Sequence, residues 1–178
     1  MSLLRKAGAL SAALLLSTIF YSAPAHAAPA ALNCVAEAGT PTKAQGAPTC
    51  FATFAEAISF ATHGAVKLPA GARTVTASQL QAAALASSVL GISYWDTGYN
   101  GSTYTHTGAT GCDTNSDVDY YFQFPTSWND KAGSAKEFGL CDGTYWENGY
   151  GTYGGGARVE TNWSGGAMND HATFIDWR

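Results

Sequence analysis

The chain has 178 residues, with nine Lys and Arg against thirteen Asp and Glu, a net charge of −4. That length makes one ordinary domain or two small ones. So acidic a chain repels phosphate backbones and anionic bilayers, which excludes nucleic acid and charged membrane surfaces as partners and suits a cation or a basic-faced protein.

In chain order, Arg5 and Lys6 precede an uncharged run from Ala7 to Tyr21, and Ala25-His26-Ala27 follows as a small-x-small pattern. Charge, apolar stretch and small-residue site in that order describe a removable secretory signal, cut after Ala27. The apolar run falls short of the about 20 residues that a membrane span needs. The expected product is secreted, with seven basic against thirteen acidic residues and so a net charge of −6. Cys34, Cys50, Cys112 and Cys141 make an even count, which in an exported chain means disulfides. The organisation of the chain favours Cys34–Cys50 and Cys112–Cys141, one staple in each half. The spacings are wide and contain no Cys-x-x-Cys, which argues against zinc.

Residues 28–88 are rich in Ala, and the texture changes near Leu90. Phe51, Phe54, Ala55 and Ile58 recur at three- and four-residue steps, predicting one apolar face of a short helix that ends near His63-Gly64. Val66-Lys67-Leu68 alternates like a strand and stops at Pro69. Ser78 is a candidate cap for a second helix over Gln79–Ala86, although this stretch reads equally as a linker. The segment as a whole reads as a cap, a spacer or a prosegment.

Residues 89–178 are crowded with Tyr, Trp, Gly, Thr and Ser and hold eleven of the acids. Leu90–Tyr94 alternates like a strand with one buried face. Asn100-Gly101 is a tight-turn signal, and Val118–Phe124 is a β-branched and aromatic run closed by Pro125. Short strands with such punctuation predict an antiparallel sandwich. Within it, Tyr94-Trp95-Asp96-Thr97-Gly98-Tyr99 returns as Tyr145-Trp146-Glu147-Asn148-Gly149-Tyr150, and Trp128-Asn129-Asp130-Lys131-Ala132 returns as Met168-Asn169-Asp170-His171-Ala172. Two signals in the same order describe an internal duplication.

These paired signals resemble the microbial βγ-crystallin family. Its unit is a four-stranded Greek key with an aromatic-x6-Gly hairpin, met here as Tyr94 to Gly101, and a later Asn/Asp-Asn/Asp-x-x-Ser/Thr-Ser loop. The loops here are Asn129-Asp130-Lys131-Ala132-Gly133-Ser134 and Asn169-Asp170-His171-Ala172-Thr173-Phe174. The resemblance covers about Val89 to Arg178. It implies an all-β fold, two Greek-key motifs forming a βγ-crystallin-type sandwich, preceded by a small helical or irregular disulfide-stapled segment. It also implies that calcium, which takes six to eight hard oxygen ligands, is held by both loops together. Carried over, the ligands are the side chains of Asp130 and Asp170, the carbonyls of Lys131 and His171, and the hydroxyl of Thr173. Gly133 departs from the pattern by offering no hydroxyl, Phe174 by replacing the last serine, and Thr152 by standing where the second hairpin needs Gly. Only Thr161–Ala167 separates the second hairpin from its loop, little room for a full third strand. The implied binding is weak, no tighter than the ~10⁻⁴–10⁻³ M of extracellular modules.

The Asn-Asp pairs also read as plain turns, since both side chains mimic backbone hydrogen bonding. No HExxH or Gly-x-Ser-x-Gly occurs, and the acids lie singly along turns, so no catalysis is expected. Two other partners fit the composition. A protease inhibitor or toxin-like protein on the same fold would use a rigid loop, Gly108–Ser116 or Gly149–Gly156. A glycan binder would use Trp95 or Trp146.

Overall fold

The computed structural model describes residues 32–81, 88–147, 157–159, 162–166 and 169–178. The signal Met1–Ala27 lies outside the described residues, as do Asn148–Gly156 and the later half of the expected second helix. Among the described residues no helix is long and apolar enough to cross a membrane. Both expected disulfides are present, Cys34–Cys50 and Cys112–Cys141, as suits an oxidising, extracellular-type environment.

The chain is mostly β. Its elements are β1 (Asn33–Glu37), β2 (Thr49–Phe51), α1 (Phe54–Ala61), α2 (Ala77–Gln81), β3 (Ser88–Asp96), β4 (Asn100–Gly108), β5 (Tyr120–Gln123), β6 (Ser134–Glu137), β7 (Gly143–Trp146), β8 (Ala157–Val159), β9 (Asn162–Ser164) and β10 (Phe174–Trp177). They form a six-stranded sheet, β2-β1-β4-β3-β6-β9, and a four-stranded sheet, β5-β10-β7-β8. In each four-strand series, β3–β6 and β7–β10, the third strand leaves its own sheet for the edge of the other.

Two cores follow from this layering. Between the sheets, Leu90, Tyr104 and Ala135 of one meet Tyr120, Phe122, Tyr145, Ile175 and Trp177 of the other. On the opposite face of the six-stranded sheet, Val35, Ile92 and Tyr94 pack under Phe54, Ala57, Ile58 and Ala61 of α1 and under Val66, Val75 and Leu80. Both faces of that sheet are therefore covered. Residues 33–81 form its outer layer and two of its strands: β2 pairs with β1, and β1 runs parallel to β4, pairing Cys34 with Tyr104 and Ala36 with His106.

Several local expectations change. Phe51 belongs to β2, and the helix starts one turn later because Thr53 and Glu56 form a capping box. Val66–Leu68 is irregular rather than a strand: the Val66 N–H is taken by the Thr62 hydroxyl (3.1 Å), so the chain leaves the helix end already capped. The second helix is boxed by Thr76 and Gln79 rather than capped by Ser78. In the β3–β4 hairpin, Thr97-Gly98-Tyr99 makes the turn and Asn100-Gly101 already opens β4. Left-handed backbone at Gly98, Tyr99 and Gly101 carries the change of direction.

The duplication shows in the ladders, one residue away from the sequence match. On β3 and β6, Tyr94 pairs with Ser134, Ser93 with Ala135 and Gly91 with Glu137. On β7 and β10, Trp146 pairs with Phe174, Tyr145 with Ile175 and Gly143 with Trp177. Hence Tyr94 corresponds to Trp146 and Ser93 to Tyr145. A one-residue slip reverses which face a side chain occupies, so Tyr94 faces the helical layer while Tyr145 faces the core between the sheets, towards the six-stranded one.

The corresponding residues meet across the interface. The Ser93 Oγ lies 3.0 Å from the Tyr145 hydroxyl, and the Trp177 Nε1–H donates to Glu137 Oε2 at 2.7 Å. The Tyr145 hydroxyl lies 3.2 Å from Glu137 Oε1, and Ser93 Oγ lies 3.0 Å from His106 Nε2. Burial lifts the Glu137 carboxyl to about 8, with the charge of Asp142 adding to it and the Trp177 and Tyr145 bonds opposing. Burial lowers His106 to about 3.

These two shifts set a pH profile for stability. Glu137, raised from 4.5, contributes stability that is present below 4.5 and lost as pH rises to about 8. His106, depressed from 6.5, must take up a proton on unfolding in acid, so its contribution is lost as pH falls from 6.5 towards 3. Between 4.5 and 6.5 the two slopes cancel. Urea unfolding across pH should give a plateau there and a fall of up to about 1.4 kcal/mol per pH unit on either side. A maximum at pH 8 would contradict this assignment.

Candidate functional site

The Asn-Asp loops stand where the repeat predicts, and the fold brings them together. The Asp130 N–H donates to the Ala172 carbonyl and the Asp170 N–H to the Ala132 carbonyl, both at 3.1 Å. Both aspartates hold left-handed backbone, with φ 57° and 58°, a conformation that Asp tolerates better than most residues. Each carboxylate also accepts from the amide of the preceding asparagine, Asn129 at 2.8 Å and Asn169 at 2.9 Å. The two loops thus form one reciprocal unit, with each aspartate set beside the other loop.

The flanking positions differ between copies. Lys131 is exposed and its Nζ stands 5.9 Å from the centre of the Trp95 ring. His171, also exposed, places Nδ1 3.5 Å from Glu147 Oε1. Thr173 is buried, and its hydroxyl donates to the Trp146 carbonyl at 3.2 Å. With its proton so directed, the hydroxyl oxygen presents its lone pairs away from that carbonyl, as a metal ligand must.

Gly133, in the place of Thr173 in the first loop, has a steric cause. A Cβ there would stand 2.8 Å from the Trp95 carbonyl oxygen and 2.8 Å from the Asp96 carbonyl carbon. The hairpin backbone occupies the space a side chain would need. The loop is sealed by direct bonds: the Gly133 N–H donates to the Tyr94 carbonyl, the Ser134 hydroxyl donates to that of Asp96, and the Tyr99 N–H donates to Ser134 Oγ.

The oxygen-bearing groups of the two loops are the Asp130 and Asp170 carboxylates, the Lys131 and His171 carbonyls and the Thr173 hydroxyl. Hard oxygen atoms of this kind are the chemistry that calcium takes, rather than that of a thiolate- or imidazole-bound metal. Among the described residues no three His, Cys, Asp or Glu converge.

One feature escaped the sequence: the interior chain Glu137–Tyr145–Ser93–His106, whose members are far apart in sequence and carry no local motif. Although it contains a Ser–His contact, both residues are fully buried and His106 Nδ1 has no hydrogen-bonding partner, so neither substrate access nor an orienting carboxylate accompanies it. The expected loop Gly108–Ser116 runs on into a stretch, Asp113–Asp119, in which the Asp119 carboxylate accepts from the Asp113 N–H, Asp113 from the Asn115 N–H and Asn115 from the Asp117 N–H. Its beginning lines a groove of about 350 Å³ with Leu140, Asp142, Thr144 and Arg178.

Replacing Gly133 with Ser should lower stability by about 1–3 kcal/mol, as overpacking does, and added calcium should not recover the loss. Thermal unfolding with and without the ion checks both statements. No family model matches the chain, and neither a curated protein nor a solved structure matches it.

Proposed function

We propose that this chain is an exported, non-catalytic βγ-crystallin-like module that takes calcium weakly at the paired Asn-Asp loops. The observation that carries the reading is the reciprocal bonding of Asp130 to Ala172 and Asp170 to Ala132, with both aspartates in the same left-handed conformation. The exchange of β5 and β9 between sheets supports it, because two interlocked Greek keys place their third strands in that way. The signal-like start and the two disulfides support export.

On this reading Asp130, set beside the second loop, joins the His171 carbonyl and the Thr173 hydroxyl as the better site, and Asp170 with the Lys131 carbonyl makes the poorer one. With so few protein ligands the dissociation constant belongs in the range ~10⁻⁴–10⁻³ M. The ion binds only the folded state, so calcium at ten times that constant adds about 1.4 kcal/mol to stability. The loops are already joined by direct hydrogen bonds, and the ion reinforces a contact that exists without it.

A second reading, a protease inhibitor on the same fold, has one observation in its favour. Residues 109–111 and 113–117 are exposed, yet their loop is held by Cys112–Cys141 and by Thr110, whose N–H donates to the Tyr120 hydroxyl. A rigid exposed loop of this sort is what an inhibitor presents. The other candidate loop, Gly149–Gly156, lies outside the described residues. Glycan binding draws less support: Trp95 packs edge-on against Trp128, and the Trp146 Nε1–H donates to Asp176 at 2.6 Å.

Calcium titration calorimetry on the chain from Ala28 to Arg178 tests the proposal. Millimolar binding should disappear with Asp130→Ala and change little with Asp170→Ala. No heat at about 10 mM calcium, well above the weakest constants of extracellular modules, would sink it and turn attention to inhibition of proteases.

A further inference from the structure

The interior chain has an internal direction that a single proton sets. The Trp177 Nε1–H can only donate, so Glu137 Oε2 is an acceptor, at 2.7 Å. This leaves Oε1 for the Tyr145 hydroxyl (3.2 Å), which lies 3.0 Å from Ser93 Oγ, itself 3.0 Å from His106 Nε2. Each hydroxyl has one proton to give, so its neighbours must all donate in the same direction. With Glu137 protonated, its O–H donates to Tyr145, Tyr145 to Ser93 and Ser93 to Nε2, and the neutral imidazole carries its proton on Nδ1. With Glu137 ionised, Oε1 accepts from Tyr145, Tyr145 from Ser93, and Ser93 from an Nε2–H. Among the described residues His106 Nδ1 has no hydrogen-bond partner that would favour either tautomer.

We propose that the proton on Glu137 sets the tautomer of His106 through the Tyr145 and Ser93 hydroxyls, making the network an alkaline-sensitive clasp between the two sheets. The geometry is that of a built socket. The Glu137 carboxyl fills the space beside Gly91 of β3 and Gly143 of β7: a Cβ on Gly143 would stand 2.8 Å from Oε1, and one on Gly91 would collide with Oε2. The backbones of two strands thus close on a buried carboxyl.

The titratable groups around Glu137 are Tyr145 on β7, Asp142 just ahead of β7 and, beyond Ser93 of β3, His106 on β4. β10 presents the Trp177 indole, while Asp176 bonds to Trp146 and Arg178. Lys136, next to Glu137, reaches the Tyr99 ring instead, 4.6 Å from its centre. Among the described residues no cation stands against Glu137 to hold it ionised at neutral pH. Burial supports the acid form up to about 8 and keeps His106 uncharged down to about 3, so across the intervening range both ends of the chain are neutral.

The test is ¹⁵N NMR of histidine-labelled protein from pH 6 to pH 10, in a His63→Gln, His171→Gln background that removes the two exposed imidazoles, with near-UV circular dichroism reporting the fold. His106 should begin as the Nδ1–H tautomer, and its Nε2 should change from imine-type to pyrrole-type with a midpoint near 8. Glu137→Gln should lock the first tautomer throughout, because the amide oxygen faces Trp177 and its NH₂ donates to Tyr145. Tyr145→Phe should disconnect the ends, leaving the alkaline loss of stability while His106 no longer follows it. A His106 tautomer that is constant to pH 10 in the folded protein overturns the proposal. So does a Glu137→Gln protein that titrates like the parent, or a parent that unfolds in this range without any change of tautomer.

Discussion

Glu137 sits where the two sheets approach, and its position constrains everything around it. Its ladder partner on β3 is Gly91, and the strand across the interface brings Gly143 against the same carboxyl. Both neighbours must lack side chains for the group to fit. The corresponding position on β10 is Trp177, whose indole N–H completes the carboxyl from the other sheet. A buried carboxyl is costly unless hydrogen-bonded, and here each oxygen has a partner. Replacing one side of such a network exposes the other to the full desolvation penalty, so glycines, carboxyl, indole and phenol hold their places together.

Around that point the molecule is organised as two related series of strands that lend each other their third members. The exchange puts β5 and β9 at the edges of sheets to which their own series does not belong. It also means that neither series can close its core alone. The stretch before β3 then completes the assembly: β1 covers the edge of β4, Gly39 bridges to Tyr121 of β5, and α1 covers the outer face. The Cys34–Cys50 staple lies within this added layer and Cys112–Cys141 within the repeated part.

The paired loops carry the same relation at the far end of the strands. Their joining is done by main-chain bonds, a cheaper arrangement than ion ligation since it removes no water from a divalent cation. The copies have diverged where backbone leaves no room: Gly133 touches the β3–β4 hairpin, whereas Thr173 has space for a hydroxyl over the Trp146 carbonyl. One loop is thereby tied by the Ser134 hydroxyl and the other keeps a polar donor set.

The sequence by itself determined the disulfide pairing, the predominance of strands after Leu90, the helix near Ile58 and the existence of two related Asn-Asp loops. All of these rest on local signals: spacing, alternation, turn chemistry. It also placed Asp130, Asp170 and Thr173 in loops that the fold joins. It misjudged Val66–Leu68, because alternation over three residues carries no information about a partner strand, and it aligned Tyr94 with Tyr145, because identical residue names outweigh a register that only ladder partners reveal. Glu137 and His106 were invisible as a pair. Their partnership depends on which strand lies opposite which, and on two glycines whose missing side chains make the space, and such facts arise only when distant segments pack. Local chemistry decides what each stretch can form; the tertiary structure decides which faces meet, and so which polar groups are left with one another for company.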